Sequence, residues 1–257
     1  PMFEKGYSLR PDFWRATTDN DYGAGLQNRL GAWKNPQMKL TSMKEEAEGN
    51  NRKVTCTYDL PSVHASLTLT YIVNPAGSLV VTQSLKVDPN SKEKPMLPRF
   101  GMTLEMPEEF DQVSYYGRGP IENYWDRHDS QFIGLYTQKV SDMFWGYVRP
   151  QETGNHTDVR WWNVHNAKRD GMTFTGLEPL EMTSINYETE DLDGGPRKED
   201  HQMHAGDLTP RRHTVVHIAQ HQMGLGCVDS WGAWPMPKYR IPYADHEFTF
   251  IITPQVK

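Results

Sequence analysis

The sequence predicts an all-β fold, an antiparallel sandwich, on three observations. Short runs of alternating apolar and polar residues, rich in Val, Ile, Thr and aromatics, recur along the chain. The 257 residues include 20 glycines and 18 prolines, which suits many turns and few long helices. Strand-like runs also follow one another without amphipathic helices between them, which argues against a parallel α/β sheet.

Taken in order, the first element is the one candidate helix. Leu26, Leu30 and Trp33 recur at i, i+4 and i+7 within Leu26 to Lys34. Val63 to Asn74 alternates with period two, the turn Asn74-Pro75-Ala76-Gly77 follows, and Leu79 to Val87 completes a hairpin. Met102 to Met106, Val113 to Tyr116, Met172 to Leu177, Thr214 to Ala219 and Glu247 to Thr253 are the remaining strands. Ser141 to Phe144 adds one helical turn. Trp161 and Trp162 are adjacent, so a strand there sends one indole to the core and the other outward. The polar stretch Glu188 to Gly206 reads as a surface loop, because strand-like sequence continues on both sides. No repeat and no low-complexity linker divides the chain, so residues 1–257 read as one domain.

Composition excludes several functions. Apolar residues make up 37%, and aromatics at 11% supply enough burial to exclude disorder. The charge of −6, without a basic stripe, speaks against nucleic acid as a partner. No apolar run is long enough to span a membrane as a helix. Cys56 and Cys227 form no CxxC and no Cys/His cluster. They read as two buried thiols, with a disulfide between them left open. The start, Pro1-Met2-Phe3-Glu4-Lys5, has no apolar signal region, and the compartment, cytoplasmic or periplasmic, stays open.

Candidate chemistry sits in polar, aromatic segments. Asp19, Asn20 and Asp21 offer three adjacent oxygen donors, but their spacing is not that of an EF-hand, and Asx side chains commonly bond backbone in turns. Glu122 and Glu152 form a carboxylate pair of the kind glycoside hydrolysis requires. Each also stands near an arginine, Arg127 or Arg149, which fits a buried ion pair organising a loop. His156 near Asp158 could be a base and its orienter, yet no nucleophile elbow accompanies it. Gly117 and Gly119 do not make a phosphate loop, since Pro120 prevents a helix from starting there. Trp231, between Ser230 and Gly232 in a glycine-rich stretch, suits an indole that stacks on a pyranose ring.

Four ordered motifs then resemble a known family. They are Arg15-Ala16 with Asp19-Asn20-Asp21, Gly117 to Arg127, Pro150 to Trp161, and Gln222-Met223-Gly224 with Asp229-Ser230-Trp231-Gly232. Together they are similar to the C-terminal small-chain domain of family 2 β-galactosidases, over roughly Arg10 to Pro254. The resemblance implies a β-supersandwich of the galactose-mutarotase-like class. It implies hydrolysis of terminal β-galactosides by the whole enzyme, with the catalytic glutamates in a separate barrel and no catalytic residue here. Trp231 matches the aromatic residue lent to the sugar pocket, with Asp229 and Ser230 beside it. Gly25 to Gly31 resembles a mobile loop near that pocket.

The partners implied are the β-galactoside, the enzyme's own catalytic domain and, as an open option, further copies of the chain. No cofactor or metal belongs to this chain, while Mg2+, Na+ or Ca2+ stays open for the full-length enzyme. Family members carry further strands upstream, so the resemblance implies that the first strands are missing and a sheet edge is open. Two other functions compete. One is a lectin-like module using Trp231, Trp234 and one of Trp161 and Trp162. The other is an aldose 1-epimerase with His156 as acid and Glu152 as base.

Overall fold

The computed structural model describes residues 8–91, 96–197, 204–226, 228–229 and 232–256. Sixteen strands, numbered in chain order, form two main sheets and a short ribbon among these residues. The larger sheet has nine strands in the order β2 (Lys39–Glu48), β3 (Asn51–Leu60), β4 (Ala65–Val73), β5 (Leu79–Val87), β16 (His246–Gln255), β12 (Gly171–Gly176), β11 (Trp161–His165), β8 (Gln112–Gly119) and β9 (Phe132–Lys139). The smaller has five, β1 (Arg10–Asp12), β7 (Arg99–Pro107), β14 (His213–Gln222), β13 (Leu180–Ile185) and β10 (His156–Val159). Strands β6 (Met96–Leu97) and β15 (Ile241–Pro242) make the ribbon. Every strand pairing among the described residues is antiparallel, so the all-β supersandwich expected from the sequence is the fold.

Period-two alternation builds the core between the sheets. The larger sheet turns Leu67, Val81, Phe250, Phe174 and Trp162 inward, against Met102, Leu104, Val216, Ile218 and Met182 from the smaller. Trp162 is fully buried and its indole N–H donates to Ser184 Oγ at 3.0 Å, while Trp161 stays half-exposed, as adjacent strand positions require. Buried Cys56 is a free thiol, and Cys227 lies outside the described residues. Gln83 is also buried in this layer, and neither side-chain amide atom has a hydrogen-bond partner.

The β4–β5 hairpin has its expected turn. Asn74 Oδ1 accepts from the Ala76 and Ser78 amides at 3.0 and 2.9 Å, and Gly77 takes φ +84°, a left-handed value that suits glycine.

The helix expected from Leu26 to Lys34 is broken. It runs as α2 (Leu26–Arg29), after α1 (Asp19–Gly23), and resumes as a 3-10 turn at Gly31–Trp33. Leu30 at φ −117°, ψ 2° interrupts it. The apolar face was nonetheless legible, because Leu26, Leu30 and Trp33 are all buried. The expected turn at Ser141 to Phe144 is a 3-10 turn at Val140–Met143. Among the described residues, the expected loop after Glu188 holds a short helix, α3 (Thr189–Leu192), and runs into a 3-10 turn at Ala205–Asp207.

The two outer faces differ. On the nine-stranded sheet, Thr55, Thr70, Thr82 and Thr249 stand side by side across four strands, with the Thr82 and Thr249 hydroxyls 2.9 Å apart. On the five-stranded sheet, Arg99, Thr103, Glu105, Glu181, Thr183 and His217 share the outer face yet are buried. Loops cover them, and those loops hold the motifs singled out in the sequence.

Candidate functional site

The first motif folds as a clasp. Thr18 and Asp21 form a capping box at the start of α1, with Asp21 N donating to Thr18 Oγ1 at 3.1 Å and Thr18 N to Asp21 Oδ2 at 3.0 Å. The Asp21 carboxylate also receives Arg15 in bidentate fashion, at 3.1 and 2.8 Å. Arg15 is fully buried, and its remaining N–H groups donate to the carbonyls of Met223 and Gly224. Its guanidinium therefore grips the chain just after β14.

Asn20 grips the same stretch further on. Its Nδ2 donates to Leu225 O and Ala233 O, both at 3.0 Å, and its Oδ1 accepts from Gly232 N at 2.9 Å. One side chain thus ties both ends of the stretch between Leu225 and Ala233. The second motif adds Asp126, whose carboxylate accepts from Leu225 N and Gly226 N, each at 2.9 Å. Gly232 has φ +79°, and a Cβ there would lie 2.2 Å from the Gly23 carbonyl carbon, so only glycine fits against α1. Beyond it, the Trp234 indole donates to Ala24 O at 3.2 Å and lies under the Arg29 guanidinium at 4.0 Å.

Asp229 is exposed, and its Oδ1 accepts from Ala233 N at 3.1 Å, an Asx contact inside the clasped stretch. Ser230 and Trp231 lie outside the described residues. Asp19, Asn20 and Asp21 do not converge. Asp19 faces Arg149 at 3.4 Å, Asn20 serves the clasp and Asp21 faces Arg15.

The two glutamates hold different networks. Glu122 Oε1 accepts from Arg127 at 2.8 Å and from the Tyr147 hydroxyl, and Oε2 accepts from Thr153 Oγ1 at 2.9 Å and Gly154 N at 2.7 Å. Burial and the adjacent Glu122 carboxylate push the Tyr147 hydroxyl up to about 12. The expected partner of Glu152, Arg149, is replaced by Arg99. Arg99 donates to Glu152 at 3.0 Å, Asp12 at 2.7 Å and Gln222 Oε1 at 3.0 Å. His217 Nδ1 lies 2.7 Å from Asp12 and 3.0 Å from Arg99. Burial alone would push the Asp12 carboxyl up. The Arg99 charge and the His217 contact outweigh that and hold it well below the usual carboxylate range.

His156 and Asp158 are not paired. His156 is buried, with Nδ1 3.0 Å from Gly154 O and Nε2 3.2 Å from Pro120 O, and burial pushes its pKa down. Asp158 instead takes Arg118 at 2.7 Å. His156 and Glu152 also have separate partners, so no acid–base pair forms between them. Sequence reading missed Arg99, Asp12, His217 and Asp126. The partners of Arg99 stand 53 to 123 positions away, so no local spacing marks it. Asp126 was in view as part of the second motif, without a role.

The geometry defines a class: an all-β supersandwich in which residues of the first two motifs clasp the stretch that holds the fourth, with no pair of opposed carboxylates among the sequence-predicted site residues described. The comparisons give the family. The family described as beta galactosidase small chain matches residues 2–252, and this chain belongs to it. It is 34% identical over 95% of its length to a beta-galactosidase of Priestia megaterium. It is 35% identical over 88% to one of Lactobacillus delbrueckii subsp. bulgaricus and 31% identical over 98% to one of Streptococcus thermophilus. The chain covers 23%, 22% and 24% of those three proteins, about a quarter of their length. A galactose mutarotase related enzyme from Lactobacillus acidophilus matches 84% of the chain and 72% of its own, at 9% identity and a TM-score of 0.43.

Proposed function

We propose that this chain is the small-chain domain of a retaining β-galactosidase, acting on terminal β-D-galactosides together with a separate catalytic barrel. Its own task is to carry Trp231, flanked by Asp229 and Ser230, at the rim of the sugar pocket and to pack against that barrel. The observation that carries this reading is the convergence of Arg15, Asn20 and Asp126 on the backbone flanking Trp231, at residues 223–226 and 232–233. A stretch that only linked two strands would not need a buried guanidinium and two half-buried polar side chains to fix it. Glu122 and Glu152 are committed to ion pairs, which suits a domain that supplies no catalytic carboxylate.

Two measurements test it. The isolated 257-residue chain is expected to release no galactose from a chromogenic β-galactoside. The full-length enzyme with Trp231→Ala is expected to lose about tenfold or more in kcat/KM, the effect of removing one stacked ring of roughly 1.4 kcal/mol. Turnover by the chain alone, or unchanged kcat and KM in the variant, overturns the reading.

A further inference from the structure

Two members of the Arg99 network, Asp12 and His217, line a cavity on the outer face of the five-stranded sheet. The cavity holds about 420 Å³ between β1, β7, β14, the start of α3 and the loop after Trp33. That volume lies within the range of small-molecule sites, roughly 300–1,000 Å³. Arg15, Asn20 and Asp126, which form the clasp, do not line it. His217 is buried, its side chain 8% exposed. Its Nδ1 lies 2.7 Å from Asp12 Oδ2, and an ionised carboxylate only accepts, so Nδ1 carries the proton. Nε2 is then an acceptor, and no group among the described residues donates to it. Only an occupant of the cavity can satisfy it.

The charges around the cavity are already balanced. Arg10 lies 2.5 Å from Glu105 and 3.8 Å from Glu188, Lys34 lies 2.6 Å from Asp193, and Asp12 lies 2.7 Å from Arg99. An ionic ligand would have to compete with one of these pairs. A neutral hydroxyl need not, because it donates to a carboxylate and accepts from a cation without displacing either. The remaining wall is apolar, from Trp14, Pro36 and Met38. Trp14 is held in place by its indole N–H, which donates to Asp193 Oδ2 at 2.9 Å. Such a wall suits a ligand with C–H groups on one face and hydroxyls at its edge.

From these features we propose that the cavity binds a neutral pyranose, with His217 Nε2 accepting from a sugar hydroxyl and Trp14, Pro36 and Met38 against the C–H face. Arg10 and Glu188 flank the mouth as a loose pair at 3.8 Å, a separation that a bridging hydroxyl can serve. Nothing in this site draws on Trp231, so the two sugar contacts can fail separately. A single ring held by a few hydrogen bonds belongs to the millimolar class of ligands.

Nuclear magnetic resonance of the 257-residue chain, titrated with D-galactose and D-glucose to about 100 mM, tests this in the range such a ligand requires. The Trp14 indole N–H and the His217 ring nitrogens are expected to shift and to saturate with at least one of the two sugars. Galacturonate, an anionic counterpart, is expected to bind at least about tenfold more weakly. Met38 is only partly buried on the loop side, so Met38→Trp fills the cavity and should abolish saturation while the amide signals of both sheets stay in place. No saturable shift with either sugar overturns the proposal, as does binding that survives Met38→Trp. Shifts confined to residues 223–226 and 232–234 overturn it and place the sugar at the clasped stretch. Equal affinity for galacturonate overturns the neutral class.

Discussion

On the outer face of the five-stranded sheet, Arg99 holds Asp12, Glu152 and Gln222 away from water, and Arg15 holds Asp21 and two backbone carbonyls. On the outer face of the nine-stranded sheet, Thr82 and Thr249 share one hydroxyl contact at part-buried positions. Both faces are polar, but only the first is covered by loops. The difference teaches where buried charge is needed in this molecule. A face that only meets solvent is served by hydroxyls. A face that must hold several long loops in one geometry uses guanidinium and carboxylate groups, which make several directed bonds each.

The sharpest way to break this comparison is to remove one guanidinium. Arg99→Met leaves Asp12 and Glu152 buried without their cation, and unfolding in urea is expected to show a loss of about 3–5 kcal/mol. Thr82→Val on the other face is expected to stay within about 0.5 kcal/mol. Equal costs at the two positions would end the distinction between the faces.

A smaller effect comes from pH. Burial lowers the His156 pKa, so as pH falls below about 6.5 the unfolded chain takes up this proton before the folded one does. Its contribution is therefore complete above that pH and is lost as pH falls, with a slope of at most about 1.4 kcal/mol per pH unit. Thermal unfolding at pH 7 and pH 5 should show this slope reduced in His156→Gln. An unchanged slope would mean that His156 does not titrate differently in the two states. Asp12 acts in a separate window: its depressed pKa makes its contribution complete above about pH 4 and lost below.

The smallest expected change is a gain. Gln83 sits in the apolar layer between the sheets with no partner for its amide, so Gln83→Leu should raise stability by about 1 kcal/mol in the same urea experiment. A loss would show that the amide is satisfied there.

The sequence carried the fold class because alternation survives wherever one strand face is wet. The β4–β5 hairpin and β16 show it plainly. It does not reach every strand: β9 alternates and was not anticipated, while β7 and β14, buried on both faces, were found from their apolar runs. Strand β2 is exposed on both faces and β13 is buried on both, so neither alternates and neither was anticipated. The site divides along a similar line. Arg15, Asn20 and Asp21 stand together in sequence and could be singled out, although the metal geometry they suggested gave way to a clasp. Arg99, His217 and Asp12 meet only through the sheet, and their partners cannot be read from spacing. Glu152 was assigned the arginine nearest in sequence, whereas the one that reaches it comes from β7.

Amide hydrogen exchange tests the clasp most directly, residue by residue, in the chain and in its Asn20→Ala variant. Asn20 Oδ1 is the acceptor of the Gly232 amide, while Leu225 and Gly226 donate to Asp126. Gly232 is expected to exchange at least about tenfold faster in the variant, with Leu225, Gly226 and the strands of both sheets still protected. Exchange at Gly232 that is unchanged by the substitution would contradict it.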